Sequence, residues 1–130
     1  MAVEIGLAEN PYDKIGFLQS DLFRAVRLVV DTGIHHKRWS REKAINYMYK
    51  KTGKAMSSVV AEVERYIAWP GQACSYKIGM LKILELRQNA RETLGIRFDI
   101  RDFHDFILEN GEVPLTVLED NYKEWIKKKS

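Results

Sequence analysis

The segment YIAWPGQACSYKIG, residues 66–79, places a Trp-Pro-Gly sequence between two stretches with helical patterns. A residue that precedes proline is sterically excluded from the helical region, so the helix before this break has to end by Trp69. The next helical segment runs from about Gln72 to Leu94. Gln72, Tyr76 and a lysine follow the break, and these side chains are suited to holding a ligand. The break therefore predicts a helix boundary and a candidate binding surface.

Before the break, the sequence predicts a long first helix. Asn10 is a suitable N-cap and Pro11 is tolerated at the first helical position, so together they predict the helix start. Gly33 predicts its end. Five residues at spacings of three and four form one apolar stripe along it: Ile15, Leu18, Leu22, Val26 and Val29.

Caps and turn residues mark the other helices. The markers are Ser40 and Gly53 for the second helix, Ser57 or Ser58 for the start of the third, Asp99 and Asn110 for the fifth, and Pro114 for the start of the sixth. The fourth segment is the most apolar, and we expect it at the centre of the fold. Gly79 lies inside it and predicts the close approach of another backbone.

The whole pattern is all-α. No segment alternates apolar and polar residues over a strand length, and no repeat or low-complexity linker divides the chain. We expect about six helices in an irregular helical bundle, forming a single all-α subdomain over residues 1–130. A chain of 130 residues suits one core.

Composition excludes several classes. The net charge is +3 and the basic residues are spread along the chain, so we expect no nucleic-acid partner. No apolar run approaches the roughly 20 residues that span a bilayer, which predicts a soluble chain without a membrane span. One cysteine, Cys74, excludes an internal disulfide and leaves the compartment, cytoplasmic or periplasmic, open.

The sequence predicts no metal site in this chain. The His-Glu-x-x-His pattern, which places two histidines on one helix face, is absent. His35 and His36 are adjacent and point in different directions on regular backbone, and His104 is far from both. Cys74 lacks a partner at a ligand spacing, so we interpret it as a buried structural thiol.

Two connections carry functional side chains. The first, residues 31–40, holds an acid, two histidines, an arginine and a tryptophan, with the alternative that Asp31 and Ser40 act only as caps. The second, residues 64–77, includes the start of the fourth helix, whose free N–H groups suit an anion. Tyr76 lies about one turn inside that helix, where its phenol is suited either to donate to a developing oxyanion or to fill the core.

Three segments, VVDTGIHHKRWSREKAINYM, EVERYIAWPGQACSYKIGMLKILELR and FDIRDFHDFILENGEVPLTVLE, carry a resemblance. By their order and spacing the chain resembles the C-terminal part of the bacterial domain-of-unknown-function family 885, from Gly6 to about Trp125. That family is similar in fold to helical zinc metallopeptidases of the gluzincin type. Its members are several times longer, and their His-Glu, Pro-Gly-His-His and Glu-Gly-Trp motifs lie upstream of this sequence. The resemblance implies a C-terminal fragment without the zinc-binding half, zinc being implied for the full-length family only.

The resemblance also assigns residues. The family's Asp-Thr-Gly-x-His matches residues 31–35, and its Pro-Gly-Gln-Ala-x-x-Tyr-x-x-Gly matches residues 70–79. In related helical zinc peptidases a histidine and a tyrosine that follow the metal ligands contact the substrate carbonyl. By this resemblance His35 and Tyr76 are the candidates for transition-state stabilisation. The candidates for substrate binding are Arg65, Tyr66 and Gln72.

Two functions follow as expectations. In the first, the chain is the C-terminal helical subdomain of a zinc-dependent peptidase-like protein, forms one wall of a peptide-substrate cleft, and is inactive without the missing N-terminal half. In the second, it is a self-sufficient helical protein or ligand-interaction module without catalysis. If it is a fragment, its exposed apolar residues, Phe17 and Phe23 among them, predict a homodimer.

Overall fold

The computed structural model describes residues 10–130, which form six α helices. These are α1 (Pro11–His35), α2 (Arg41–Thr52), α3 (Met56–Ala68), α4 (Ser75–Leu94), α5 (Ile100–Glu109) and α6 (Leu115–Lys129). One 3₁₀ turn, Gln72–Cys74, precedes α4, and another, Gly95–Arg97, follows it. No β strand occurs between residues 10 and 130, so the prediction of an all-α fold with about six helices is confirmed.

Cap contacts explain where the first two helices begin and end. The Asn10 side chain accepts a hydrogen bond from the backbone N–H of Asp13 at 2.9 Å, and the Ser40 hydroxyl accepts one from Lys43 at 3.2 Å. Gly53 ends α2 in the left-handed conformation, with φ of 62°. These contacts satisfy N–H groups that lack a partner in the first helical turn. The corresponding sequence predictions are confirmed.

The Trp-Pro-Gly break is a tight turn between α3 and α4. Trp69 leaves the helical region, with φ of −128° and ψ of 77°. Gly71 has φ of 82°, and the N–H of Gln72 donates to the carbonyl of Trp69 across 3.4 Å. Proline followed by glycine with positive φ is the pattern of a type II turn. The predicted helix end at Trp69 is therefore confirmed.

Gly33 has a different role from the predicted helix stop. Helix α1 continues two residues beyond it, to His35. Arg38 then takes a left-handed conformation, with φ of 51°, and Trp39 returns to donate its backbone N–H to the carbonyl of Gly33 at 2.9 Å. A Cβ on Gly33 would lie 2.6 Å from the Trp39 ring. This glycine provides room for the indole.

The chain divides into two compact units, one up to Lys77 and one from Ile78 onward. The first contains α1, α2, α3 and the beginning of α4, around a core of Val26, Val30, Ala44, Ile45, Met48, Val59, Val63, Tyr66 and Ala73. The second contains the rest of α4 with α5 and α6, around Leu86, Ala90, Phe103, Phe106, Leu118 and Tyr122. A single subdomain over residues 1–130 stays a prediction, to be decided by how cooperatively the units unfold.

Two expectations about α4 are wrong. Its buried residues are only Leu86, Ala90 and Leu94, so it is not a central helix enclosed on most sides. The unit boundary falls inside it, so its first turn belongs to the first unit and its later turns to the second. At Gly79 a Cβ would meet nothing within 4 Å, so no backbone approaches there.

The predicted apolar stripe of α1 mostly faces away from the core. Of its five members only Val26 is buried, whereas Ile15, Leu18, Leu22 and Val29 are exposed. The buried face of α1 consists of Val26, Arg27, Val30, Asp31 and Gly33. Phe23, expected to be exposed, packs partly buried against the first core, and Phe17 is exposed as expected. The core-facing side of α1 therefore includes two charged residues.

Candidate functional site

Arg27 is a buried cation in the first unit, with only 7% of its surface exposed. Its guanidinium carbon lies 4.6 Å from the ring centroid of Tyr76 and 5.5 Å from that of Tyr66. Its Nη2 donates to the Oε1 atom of Gln72 across 3.2 Å. Desolvated guanidinium groups are attracted to aromatic faces, so one side chain holds three of the five predicted site residues together.

Asp31 lies one helical turn further along α1 and is equally buried. Both of its carboxylate oxygens are 3.0 Å from the backbone nitrogen of Gly71, which donates to them. The chain's own carboxylate therefore takes the place at the start of the Gln72–Cys74 turn where the sequence indicated a site for an anion. This contact joins α1 to the Trp-Pro-Gly turn and fixes the direction in which α4 begins.

Tyr66 is a core residue of α3 and not a surface group. It is 1% exposed, and its hydroxyl donates to Oε2 of Glu62 at 2.6 Å. Burial, reinforced by the Glu62 carboxylate, raises the pKa of the Tyr66 phenol far above its ordinary value, so the phenol stays protonated. Arg65 is exposed and donates to the same Glu62 oxygen at 2.8 Å. In this arrangement Tyr66 contributes a ring face and a carbonyl.

His35, at the end of α1, contacts that carbonyl. Its Nε2 atom is 2.9 Å from the backbone oxygen of Tyr66. A carbonyl oxygen only accepts, so Nε2 carries the proton and donates it, which leaves Nδ1 as the second ring nitrogen. The histidine side chain is otherwise exposed. The geometry thus orients the imidazole and leaves one nitrogen for a ligand.

The structure brings the five predicted residues into one connected group. Gln72 and Tyr76 are linked through Arg27 to Tyr66. His35 and Arg65 are linked directly to Tyr66. No described residue hydrogen-bonds the Tyr76 hydroxyl, and 49% of Tyr76 is exposed. The solvent-facing members are therefore His35, Arg65 and Tyr76.

The sequence analysis did not identify Arg27, which connects three of these residues, or the role of Asp31, which binds the Gly71 N–H. A signal was present, because two opposite charges four residues apart follow Val26 and Val30 on the same helix face. Charged residues in phase with apolar ones indicate a buried polar site. Asp31 was interpreted only as a loop acid or a cap.

Cys74 is a buried free thiol next to these charges. Burial raises its pKa, the Asp31 carboxylate adds to the effect, and the Arg27 guanidinium opposes it. A raised pKa disfavours the thiolate, which is the nucleophilic form. Its environment therefore matches the predicted structural role and not that of a catalytic nucleophile.

The residues present do not fit a metal ion. Within residues 10–130 no group of three His, Cys, Asp or Glu side chains is placed to hold one. His35 points one nitrogen at a backbone carbonyl, and Asp31 directs both oxygens at an N–H group. The zinc implied for the longer family members finds no ligand set in this part of the chain.

Three members of the site, His35, Arg65 and Tyr76, form an exposed face. Three surface hollows of the first unit lie elsewhere and are lined by residues of α1 and by Thr52, Gly53 and Lys54. The face itself presents a phenol, an imidazole nitrogen and a guanidinium. The phenol and the guanidinium donate to carbonyl and carboxylate oxygens, and the free nitrogen of the neutral imidazole accepts from an N–H or O–H group.

The fold and the site define an all-α protein segment with an exposed polar face supported by a buried arginine and aspartate. The chain belongs to the family described as "Bacterial protein of unknown function (DUF885)", whose model matches residues 1–121. The predicted family is thereby confirmed. No curated protein matches the chain.

A solved structure has the same fold as this chain. It is described as the "putative lipoprotein from Colwellia psychrerythraea", with a TM-score of 0.95 and 58% sequence identity. The match covers 98% of this chain and 22% of that protein, so the chain spans about a fifth of the relative's length. Among the helices described in residues 10–130, none is long and apolar enough to cross a membrane.

Proposed function

We propose that this chain forms one wall of the substrate cleft in a zinc-dependent, peptidase-like protein of the family. Its part is to bind a peptide and to stabilise the transition state, while the metal ligands come from outside residues 10–130. The observation that carries this proposal is the Tyr76 phenol, which is half exposed, has no described hydrogen-bond partner, and is held by a buried guanidinium. On its own the chain has no catalytic activity in this proposal.

Tyr76 is the donor to the substrate carbonyl. A phenol held by its ring face keeps the hydroxyl in a fixed position, and it donates most strongly when the carbonyl oxygen becomes an oxyanion. Arg27 fixes the ring at 4.6 Å and at the same time holds Gln72. The Oε1 atom of Gln72 accepts from Arg27, so its amide NH₂ can donate to the peptide backbone.

His35 is the second donor in this proposal. Since its Nε2 donates to the Tyr66 carbonyl, contact with substrate involves Nδ1. Nδ1 donates to an oxyanion only when the ring is protonated, whereas the neutral ring accepts there. Arg65 is exposed and pairs with Glu62, and in this proposal its remaining N–H donors bind a substrate carboxylate.

The test uses a full-length family member that contains this segment and an internally quenched peptide library. Tyr76→Phe is expected to lower kcat by about a hundredfold or more, with little change in stability, because one oxyanion donor is lost. Gln72→Ala is expected to act mainly on KM. The matched control is Tyr49→Phe on α2, since Tyr49 is 43% exposed and so is similarly accessible. That variant should keep full turnover.

Two results would overturn the proposal. One is a Tyr76→Phe variant that melts earlier but turns over normally per folded molecule, which would make the hydroxyl structural. The other is a full-length protein that binds no zinc and cleaves no library peptide.

The name of the Colwellia relative favours an extracytoplasmic compartment for this activity, which fractionation of cells carrying the tagged full-length protein would check.

A further inference from the structure

Helix α1 carries an apolar seam on its exposed side. The α1 seam consists of Ile15, Leu18, Leu22, Ala25 and Val29, spaced alternately by three and four residues. Leu18 is 68% exposed, and Ile15 and Leu22 are 50% and 45% exposed. At 100° per residue these five positions fall within an arc of about 80°. The seam is therefore a continuous apolar strip more than three helical turns long.

The spacing identifies what kind of element covers the seam. Apolar residues that alternate at three and four positions form the contact line of two helices packed side by side. Apolar residues scattered singly over a helix surface would not keep this alternating spacing. The adjacent face of α1, with Val26 and Val30, is already used by the core of the first unit. The seam is thus a second packing face of the same helix.

The comparison with the solved relative indicates where the covering helix comes from. This fold occurs there nearly unchanged, at a TM-score of 0.95, inside a polypeptide of which it forms only 22%. Most of that polypeptide lies outside the matched part and shares one chain with it. A tethered segment reaches the seam at a far higher effective concentration than a second molecule does.

We propose that the α1 seam is the docking face for an amphipathic helix from the remaining polypeptide of the full-length family protein. The contact is apolar, runs along α1 from Ile15 to Val29, and joins this segment to the part of the protein that lies outside it. It concerns assembly and does not depend on the proposed peptidase activity.

The test is a chimera in which this chain replaces the matching fifth of the Colwellia protein, compared with the isolated chain. Hydroxyl-radical footprinting should oxidise Leu18 and Leu22 readily in the isolated chain and on the order of fivefold or more slowly in the chimera. Leu18→Glu should lower Tm of the chimera by about 2–4 °C, because it buries an unpaired carboxylate in the contact. In the isolated chain the same change should leave Tm unchanged within error.

The control is Asn46→Glu, which adds one carboxylate at an exposed position of α2. It should not affect Tm of the chimera. Equal oxidation of Leu18 in both proteins, or a chimera that tolerates Leu18→Glu, would overturn the proposal. A third result would also overturn it. If the isolated chain sediments as a dimer and Leu18→Glu dissociates that dimer, then a second copy of the chain covers the seam.

Discussion

Two glycines of α1 provide a sharp test of the packing in the first unit. Gly33→Ala would place a Cβ 2.6 and 2.7 Å from two ring carbons of Trp39. Gly16→Ala, in the same helix, would meet nothing within 4 Å. Both changes give the gain in helix propensity that alanine has over glycine, about 0.5–1 kcal/mol in a helix interior. The two variants therefore differ mainly in the contact with the indole.

The magnitude follows from how freely Trp39 can move. Its ring packs against Tyr47, with ring centroids 5.2 Å apart, and Lys43 Nζ lies 4.7 Å from its centroid. Inserting a methyl group into such a packed site costs about 1–3 kcal/mol. We expect Gly16→Ala to stabilise the protein by about 0.5–1 kcal/mol. We expect Gly33→Ala to destabilise it by about 1–2 kcal/mol after its propensity gain is subtracted.

The assay is urea unfolding followed by tryptophan fluorescence, because Trp39 and Trp69 both lie in the first unit. A double-mutant cycle with Trp39→Leu isolates the contact, and we expect the two changes to be coupled by about 1–3 kcal/mol. Equal stability of the Gly33→Ala and Gly16→Ala proteins, or a cycle without coupling, would show that the indole does not rest on Gly33.

Three further changes test the polar site. Asp31→Ala should destabilise the first unit by about 2–3 kcal/mol and Asp31→Asn by less, measured by urea unfolding, because the charge-assisted bonds to Gly71 are lost wholly or in part. Since the pKa of Tyr66 is raised by burial and by Glu62, its contribution to stability is complete below the ordinary value of 10.0 and is lost as pH rises above it. Tyr66→Phe should therefore flatten the fall in unfolding free energy above about pH 10. Cys74 should react with a thiol reagent on the order of a hundredfold more slowly in the folded protein than in urea, because it is buried with a raised pKa.

Local signals in the sequence were sufficient for three helix starts, whereas α3 begins at Met56 without a side-chain cap and not at the predicted Ser57 or Ser58. Asn10, Ser40 and Asp99 each place a side-chain oxygen on a backbone N–H within the next three residues, a contact made inside one turn. Proline and glycine at positions 70 and 71 act through backbone sterics alone. Such effects do not depend on the rest of the fold, which is why the predicted boundaries agree with the structure within a few residues.

Contacts distant in sequence could not be predicted in the same way. The hydrogen bond from Gly71 to Asp31 joins residues 40 positions apart, and the one from Arg27 to Gln72 joins residues 45 apart. Nothing in the spacing of either pair indicates that they meet. The resemblance to the family suggested five candidate site residues, but it gave no sign that Arg27 would be the group that connects three of them.

The error on α1 has a physical cause that links the site to the docking face. A helix that packs on one side buries only one face, and hydrophobic spacing alone favours the side with Ile15, Leu18 and Leu22. The structure buries the adjacent side, which shares Val26 with the predicted stripe and also contains Val30, Arg27 and Asp31. The aromatic rings and Gln72 offset much of the cost of burying Arg27, whose Nε has no hydrogen-bond partner, and the Gly71 N–H satisfies Asp31. The more apolar seam is then left outside the core. In a family protein that contains this fold within a longer polypeptide, burying the seam under a helix of the remaining polypeptide would stabilise the whole protein.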